Sequence, residues 1–326
     1  MKCYYHITDS TNPYHNLALE EWLFRAVRPG EVVLYLWQND NTVVIGRNQN
    51  AWRECRLEEF SAQSGRLARR ISGGGAVFHD MGNQNFTFLA ENDLYDVERQ
   101  TEVIRLAARE FGIDAQRSGR NDILAGDRKF SGNAFHRTQG ASFHHGTILI
   151  SSDMGRLGQF LAPSPEKLQA KGVESVRARV MNLCELNPRV TPAAMREALL
   201  DAFGRVYGAV PEPYPFEERM EPEGLGTLME RYESETWRLG RLSAFTWEMR
   251  RRLSFGEVEF QFQVEEGVLK AAQVYSDAMD ADWVEALGAA LVGCAFSGEA
   301  LAEAVPLSLH NPGDGEEVAQ CLREAL

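Results

Sequence analysis

The chain has 326 residues, and 34 basic against 47 acidic residues give it a net charge of −13. Such an acidic chain lacks the positive field that general DNA or RNA binding requires, so no nucleic-acid partner is expected. Its 44% hydrophobic and 25% charged residues are typical of a globular protein. No apolar run of about 18 residues is present, so no membrane association is expected.

The cysteines are five in number and scattered, and the chain contains neither Cys-x-x-Cys nor His-Glu-x-x-His. This usage is typical of a reduced protein without a structural zinc site. The first six residues lack the apolar core of a signal peptide. Both observations predict a cytoplasmic location.

The apolar pattern predicts an α+β fold for the first two thirds of the chain. Asn12 and Pro13 predict the cap and first position of a helix that runs to about Val27. Further elements are predicted as strands at 31–37, 42–46, 85–89, 122–124, 129–136 and 143–150, and as helices at 97–111 and 191–207. Several strands follow one another without a helix between them, which indicates a mixed or antiparallel sheet with packed helices.

The C-terminal third is predicted to form a separate, small α+β domain. Residues 210–215 predict an extended connector, and a helix through Leu228 and Tyr232 follows it. Beyond a change in composition near 244–252, strands at 257–264 and 268–275 flank a turn, and helices are predicted at 283–291 and from Gly315. We therefore predict one domain at residues 1–245 and another at 250–326.

The most unusual stretch is Arg69-Arg70-Ile71-Ser72-Gly73-Gly74-Gly75-Ala76-Val77-Phe78-His79-Asp80. Three glycines allow a ligand close to the backbone, N–H groups of such a loop can point at an anion, and Arg70 can add a clamp. A tight turn between strands is the other interpretation. Phe78 stands where the dinucleotide fingerprint requires its last glycine, and the chain has no P-loop motif.

Only five of the 34 basic residues are lysines, and Lys129 is one of them. It lies in a predicted strand beside Ser131 and Gly132. A lysine that points inward from a strand requires an anion, whereas a solvated surface lysine is the commoner case. The polar segment 171–179 carries basic residues around a glycine, and it is either an ordinary helix end or a mobile loop that closes over an anion.

Four motifs occur in a fixed order, and together they resemble those of one family. They are Arg-Arg-x-Ser-Gly-Gly-Gly-Ala-Val-Phe-His-Asp-x-Gly-Asn from residue 69, Gly-Arg-Asn-Asp from 119, Asp-Arg-Lys-x-Ser-Gly from 127 and His-His-Gly-Thr from 144. The chain resembles the lipoate–protein ligase A type of ligase, within the biotin/lipoate ligase superfamily, over essentially its whole length. The resemblance implies a catalytic domain (1–245) related to class II aminoacyl-tRNA synthetases and biotin ligases, with an accessory C-terminal domain (250–326).

The resemblance also implies a reaction in two steps. Lipoate and ATP, with Mg²⁺, give lipoyl-AMP and pyrophosphate, and the lipoyl group then moves to a lysine of an acceptor protein. The implied acceptors are the apo-lipoyl domains of 2-oxoacid dehydrogenase complexes and the glycine cleavage H protein. A carboxylate that attacks a phosphate brings two anions together, so the chemistry requires charge neutralisation and alignment.

The family motifs assign roles to individual residues. The implied ATP contacts are Arg70, Gly75, Ala76, Val77, Phe78 and Lys129. The implied lipoate contacts are Lys129, Trp37, Val77, His79 and His145. Lys129 is the implied catalytic residue because one ammonium can contact both phosphate and acyl carbonyl. Lys171, Gly172 and Arg177 are the implied adenylate loop, and Asp122 is the candidate Mg²⁺ ligand.

Two departures from the family pattern and two rival functions stay open. The segment from Asn121 to Lys129 is short, and Asn133 and His136 replace the serine and arginine that are more usual in the family, so the resemblance implies no contacts for these two side chains. One rival is an ATP-independent octanoyl- or lipoyltransferase, which requires a cysteine nucleophile, and Cys184 is the nearest candidate. The other is a non-catalytic nucleotide-binding module.

Overall fold

The computed structural model describes residues 1–119, 121–161, 180–220, 222–240, 245–308 and 311–326. Its contacts divide the chain into two units. The first comprises Met1–Val44, Cys55–Ala68 and Val77–Arg238, and the second comprises Ile45–Glu54, Arg69–Ala76 and Leu239–Leu326. The predicted boundary between residues 245 and 250 stays a prediction. By contacts, the second unit also includes two short segments from the N-terminal part of the chain.

The strands up to residue 213 form two sheets. They are β1 (Lys2–Ile7), β2 (Glu31–Trp37), β3 (Thr42–Ile45), β4 (Arg66–Arg69), β5 (Val77–His79), β6 (Asn83–Glu91), β7 (Ala115–Ser118), β8 (Asp122–Ala125), β9 (Arg128–Arg137), β10 (Ala141–Leu149) and β11 (Glu212–Pro213). Eight strands pair in the order β11-β1-β2-β6-β10-β9-β8-β7, and three pair as β4-β3-β5. In the large sheet, β1 is parallel to β2 and β11, and the other neighbours are antiparallel.

The helices of this region begin where the sequence offers caps. They are α1 (Pro13–Ala26), α2 (Ala51–Glu54), α3 (Leu57–Ala62), α4 (Val97–Arg109), α5 (Met154–Phe160), α6 (Pro192–Tyr207), α7 (Phe216–Arg219), α8 (Pro222–Glu233) and α9 (Glu235–Leu239). The side chain of Asn12 accepts a hydrogen bond from the Tyr14 N–H, and that of Thr191 accepts from the Ala194 N–H. Each cap is followed by a proline at the first helical position, as predicted.

The two faces of the large sheet pack against different helices. One face carries an apolar core that it shares with α4 and α6, and the buried members include Leu34, Leu36, Phe86, Phe88, Val103, Ile104, Leu199 and Phe203. Because side chains alternate along a strand, Tyr35, Trp37, Thr87 and His145 point to the opposite face. That face packs against α1, whose Glu20 contacts Thr87 and His145.

The C-terminal part of the second unit is a small α+β structure. It consists of β12 (Trp247–Arg252), β13 (Glu257–Glu265), β14 (Val268–Ser276), α10 (Ala281–Leu291), α11 (Gly298–Glu303) and α12 (Pro312–Ala325). The strands form an antiparallel sheet in chain order. The predicted turn lies between β13 and β14, with positive φ at Glu266 (49°) and Gly267 (76°). The core includes Phe260, Phe262, Leu287 and Leu322.

Several predicted bounds differ from the structure for identifiable reasons. The last helix begins at Pro312 rather than at Gly315, because Pro312 takes the first helical position. The extended connector at 210–215 contains β11, which pairs with the edge strand β1. The stretch at 244–252 contains β12, which the sequence did not predict. None of the described helices is long and apolar enough to cross a membrane.

Candidate functional site

Lys129 and Asp122 form an ion pair on neighbouring strands of the first unit. Lys129 lies on β9 and Asp122 on β8, and Lys129 Nζ lies 2.6 Å from Asp122 Oδ1. The side chains are 31% and 38% exposed, respectively. Nζ also lies 2.9 Å from the position that a Cβ on Gly132 would occupy. The missing side chain of Gly132 therefore makes the space into which the ammonium extends, and solvent reaches the pair.

The hairpin that carries this pair is tight. β8 ends at Ala125 and β9 begins at Arg128, so two residues connect them, and Gly126 has a φ of +63°. The segment from Asn121 to Lys129 is short because only a two-residue turn connects the two strands. The register shifts between Ile123 and Leu124, which pairs Asp122 with Gly132 and Leu124 with Lys129. This shift places Lys129 and Asp122 within contact distance.

A chain of hydrogen bonds links Trp37 with His145 across the face that packs on α1. Trp37 Nε1 donates to Thr87 Oγ1 at 3.0 Å, and Thr87 Oγ1 donates to Glu20 Oε1 at 2.6 Å. The same carboxylate oxygen lies 2.8 Å from His145 Nδ1. Because the carboxylate can only accept, His145 carries a proton on Nδ1. Two of the predicted lipoate contacts are therefore connected through a buried glutamate.

His79, on β5, lies among amides. Asn39 Nδ2 lies 3.2 Å and Asn85 Nδ2 3.4 Å from His79 Nδ1. Since both amide nitrogens donate, Nδ1 accepts, and a neutral ring carries its proton on Nε2. The ring also makes an edge contact with Trp37, with centroids 6.0 Å apart. The surroundings of these two rings are therefore polar as well as aromatic.

Val77 and Phe78 precede His79 on β5, which pairs with β3. Val77 is half-buried, whereas Phe78 is 2% exposed and packs against Phe60 and Phe160. The side chain of Phe78 thus belongs to the core. Its predicted ATP contact can be made only through its backbone.

The glycine loop lies in the second unit, where Arg70 folds back on it. The Arg70 guanidinium donates to the carbonyl oxygens of Gly73 at 2.7 Å and Gly75 at 2.8 Å. Gly74 has a φ of +88°, which favours glycine. A Cβ on Gly73 would lie 2.3 Å from the Ala278 carbonyl oxygen, whereas one on Gly75 would meet no atom within 4 Å. Gly73 is therefore required by packing, and Gly75 has free space around it.

Arg69 also donates hydrogen bonds to backbone carbonyl oxygens. Its Nη1 donates to the carbonyl oxygens of Arg47 at 2.8 Å and Gln49 at 2.7 Å, and it lies 3.2 Å from that of Gly46. Burial lowers the pKa of Arg69 to about 10, so the group stays charged at neutral pH. The two arginines thus hold neighbouring loops by charge-assisted hydrogen bonds to carbonyl groups.

Four of the predicted site residues remain: Ala76, Lys171, Gly172 and Arg177. Ala76 is half-buried. Lys171, Gly172 and Arg177 lie outside the described residues, as does Arg120 of the Gly-Arg-Asn-Asp motif. Across the described ranges, no group of three or more His, Cys, Asp or Glu could hold a metal ion. In nucleotide-binding sites, one or two carboxylates bind Mg²⁺ together with substrate phosphates and water. Asp122 fits Mg²⁺ in this way, with the phosphates as the other ligands.

Sequence analysis missed Glu20 as a functional candidate. It is 1% exposed and connects Thr87 with His145. A signal was present, because Glu20 and Glu21 interrupt an otherwise apolar stretch of α1, and a buried carboxylate requires partners. Its partners could not be found from the sequence, since they lie 67 and 125 residues away in the chain.

Comparisons with known families cover most of the chain. Residues 12–204 match the family described as lipoyl protein ligase A/B catalytic domain, and residues 243–310 match bacterial lipoate protein ligase C-terminus. The chain is 43% identical over 309 residues to lipoate-protein ligase A of Bdellovibrio bacteriovorus, covering 92% of this chain and 90% of that protein. It is 41% identical over 284 residues to lipoate-protein ligase A of Psychrobacter cryohalolentis, covering 85% and 84%.

Solved structures show the same similarity. The P. falciparum protein LipL1 in complex with lipoate has a TM-score of 0.86 at 27% identity, covering 98% of this chain and 99% of that chain. A lipoate-protein ligase A bound with ATP has a TM-score of 0.63 at 27% identity, covering 74% and 100%. The bipartite ligase solved with its E2 lipoyl domain from Thermoplasma acidophilum has a TM-score of 0.64 at 27% identity, covering 76% and 100%. These matches confirm the predicted family and α+β fold.

Proposed function

The chain belongs to the lipoyl protein ligase A/B family, and we propose that it is an ATP-dependent lipoate–protein ligase. In the proposed reaction, the lipoate carboxylate attacks the α-phosphate of ATP, which gives lipoyl-AMP and pyrophosphate. The amine of an acceptor lysine then attacks the acyl carbonyl and releases AMP. Relatives that carry the name lipoate-protein ligase A at 41% and 43% identity support this activity, as do similar structures that hold lipoate or ATP.

The observation that carries the proposal is the position of Lys129. Its ammonium extends over Gly132, is partly exposed and already contacts an anionic oxygen, that of Asp122. A compact ammonium can donate to a phosphate oxygen and to the acyl oxygen in turn, because its three N–H groups point in different directions. We assign Lys129 the stabilisation of charge in both steps, which is the larger part of catalysis in such transfers.

The glycine loop is proposed to hold the nucleotide through its backbone. The proposed ATP contacts here are Arg70 and the N–H groups of Gly75, Ala76, Val77 and Phe78. The structure suggests how Arg70 serves this purpose, because its hydrogen bonds to the Gly73 and Gly75 carbonyls order the loop. A loop that is ordered in advance binds an anion without a further entropic cost. Direct contact between Arg70 and ATP stays a prediction.

Lipoate is proposed to bind along Trp37, Val77, His79 and His145, with Lys129 at its carboxylate. Trp37 and His145 are buried, and the hydrogen bonds of the indole and of His145 Nδ1 to the Thr87–Glu20 pair fix both rings. Fixed rings present a slot of constant shape, which favours one acyl chain over others by shape.

We also propose a protein ligand for Mg²⁺ and a class of acceptor protein. Asp122 is the carboxylate that would hold Mg²⁺, together with oxygen atoms of the ATP phosphates, and the metal would neutralise phosphate charge. The acceptors are apo-lipoyl domains, because a similar archaeal ligase was solved with its E2 lipoyl domain. The glycine cleavage H protein and a cytoplasmic location stay predictions.

The first step can be tested without an acceptor. Purified protein with ATP, Mg²⁺ and lipoate should release pyrophosphate, and omission of lipoate should abolish the release. The matched variant Cys184→Ser should retain this release, since Cys184 is half-buried in a short helical turn and the proposed intermediate is an adenylate rather than a thioester. With an acyl thioester as donor and an apo-lipoyl domain as acceptor, acyl transfer that proceeds without ATP and stops in Cys184→Ser would instead identify a transferase.

A further inference from the structure

We propose that Asn133 is a positioning residue for Lys129. In this proposal Asn133 fixes Asn121 at the start of β8, and thereby the carboxylate of Asp122 that contacts the Lys129 ammonium. The inference rests on the proposed function, because the step that it serves is the formation of lipoyl-AMP. It concerns a residue to which the proposed function assigns no role.

Asn133 and Asn121 are joined by three hydrogen bonds. The Asn133 N–H and Nδ2 both donate to the Asn121 carbonyl oxygen, each at 2.9 Å. In return, Asn121 Nδ2 donates to the Asn133 carbonyl oxygen at 2.9 Å. The next residue after Asn121 is Asp122, which pairs with Gly132 in the sheet register. The three bonds therefore fix the backbone immediately before the residue that holds Lys129.

His144 fixes the orientation of the Asn133 amide. His144 Nε2 lies 2.8 Å from Asn133 Oδ1, and Nδ1 lies 3.2 Å from the Gln100 amide atom that is assigned as Oε1. Burial lowers the pKa of His144 to about 3, so the ring is neutral and carries one N–H. Asn133 Nδ2 is committed to the Asn121 carbonyl, so Nε2 of His144 must donate to Oδ1. Gln100 must then present its Nε2 to Nδ1, because amide orientations follow from the network.

The sheet leaves space for this amide at Gly146. Asn133 Oδ1 would lie 2.7 Å from a Cβ on Gly146, so a larger residue there would displace the amide. Gly146 pairs with Asn133 on the neighbouring strand β10. The His-His-Gly-Thr motif thus supplies both the donor, on His144, and the space, at Gly146. Through Asn133 it connects to Asn121 of the Gly-Arg-Asn-Asp motif.

A serine at position 133 would not maintain these contacts. Its hydroxyl is the first atom beyond Cβ, whereas the Asn133 oxygen and nitrogen are the second. A serine would therefore lose the Nδ2 bond to the Asn121 carbonyl and the bond to His144, and leave a buried ring N–H unpaired. The backbone N–H of residue 133 and the Asn121 side chain would still join the two residues, but with one bond fewer Asn121 and then Asp122 are held less firmly. A displacement of about 1 Å in a catalytic arrangement can lower the rate as much as 100-fold.

The first readout compares Asn133→Ser with Asn92→Ser. Asn92 serves as the control because its Nδ2 likewise donates to backbone carbonyl oxygens, those of Thr138 and Gln139, at another turn of the same sheet. We expect Asn133→Ser to lower kcat for lipoate-dependent pyrophosphate release by roughly 10- to 100-fold, with the KM for lipoate changed less than about twofold. Asn92→Ser should keep both constants near those of the unmodified protein.

The second readout follows Lys129 itself and requires no activity. The rate at which an amine-reactive reagent labels Lys129 is measured by mass spectrometry, with the exposed Lys2 and Lys270 as internal standards. We expect Asn133→Ser to raise the labelling of Lys129 at least about twofold, in the direction that Asp122→Asn also changes it, because both variants weaken the same ion pair. Asn92→Ser should leave the labelling unchanged.

The two readouts separate the possible failures. Lower kcat or lower thermal stability in Asn133→Ser with unchanged Lys129 labelling would overturn the proposal, since Asn133 would then have a structural role only. Full activity and unchanged labelling would overturn it as well. If the unmodified protein releases no pyrophosphate, the proposed function fails, and the labelling result still decides whether Asn133 positions Lys129.

Discussion

Lys129 has a position that suits a lysine and no larger cation. Its Nζ lies 2.9 Å from the position of a Cβ on Gly132, and the carboxylate of Asp122 lies on the neighbouring strand. We predict that Lys129→Arg loses lipoyl-AMP formation as completely as Lys129→Ala. A planar guanidinium is wider than an ammonium and cannot direct its N–H groups to two oxygens in different directions. The measurement is lipoate-dependent pyrophosphate release.

The control for this pair of variants is Lys270→Arg, at an exposed position on β14. It should retain full release, and circular dichroism should show all three variants folded. Release above about a tenth of the normal rate in Lys129→Arg would contradict the assignment of Lys129, because the loss of a charge-stabilising donor typically costs 100-fold or more.

His144 predicts how stability depends on pH. Burial lowers its pKa to about 3, below the ordinary value of about 6.5, so the unfolded chain binds more protons between these pH values. The stability that depends on neutral His144 is complete above pH 6.5 and is lost as the pH falls. Between pH 7 and 5 the loss from this group is about 2 kcal/mol. Urea unfolding at several pH values measures it.

The matched variant for this prediction is His144→Gln, whose Nε2 can still donate to Asn133 Oδ1. It should be less stable at pH 7, yet lose less free energy of unfolding on acidification than the unmodified protein. Equal pH dependence in both proteins would show that His144 does not account for the acid sensitivity.

For single residues, the sequence predicted chemical roles better than it predicted which side chains are in contact. Lys129 and Asp122 were identified from motifs, and the structure shows them in contact. Glu20 was missed, because its partners come from strands far along the chain. For Asn133 the substitution was visible, but its effect depends on His144 and Gly146, which only the register of β9 with β10 places beside it.

In the glycine loop, packing requires a glycine at position 73 but not at position 75. Gly73 has no space for a Cβ, which would lie 2.3 Å from the Ala278 carbonyl oxygen and 2.5 Å from that of Met279, whereas Gly75 has space. We predict that Gly73→Ala lowers the free energy of unfolding by about 1–3 kcal/mol, because the backbone must move to admit the methyl group. Gly75→Ala should change it by less than about 0.5 kcal/mol.

Thermal or urea unfolding of the two variants provides the comparison, with Gly140→Ala, which also meets no atom within 4 Å, as a further control. Equal stability of Gly73→Ala and Gly75→Ala would contradict the packing of the loop described here. Gly74 cannot serve as a control, because its φ of +88° favours glycine and any substitution there would strain the backbone.

Among the elements, those with local signals were predicted well. The helix α1 has its cap and proline in sequence, and β2 consists of seven buried residues, of which the last six form a continuous apolar run. The strand β12 was missed, because Arg250, Arg251 and Arg252 give it a basic character, and its pairing with β13 rather than its composition makes it a strand. The strand β11 is two residues long and exists through its pairing with β1.

At the scale of the whole molecule, the two units defined by contacts are not continuous in the sequence. The segments Ile45–Glu54 and Arg69–Ala76 belong to the second unit, although they lie more than 160 residues before its main part. Within that unit the Gly74 N–H donates to the Ala278 carbonyl oxygen at 3.1 Å, across 204 residues of sequence. Hydrophobic periodicity has no information on such pairs, so the sequence could predict the existence of a small C-terminal domain but not its additional segments.

The measurement that tests the central claim most directly is the intact mass of an apo-lipoyl domain after incubation with the purified protein. With lipoate and Mg-ATP, the account predicts that the domain gains the mass of one lipoyl group. It should gain none without ATP, none with Lys129→Ala, and none when the acceptor lysine is replaced by arginine. An acceptor that stays unmodified with all components present and a folded enzyme, or one that is modified equally well without ATP, would contradict the account.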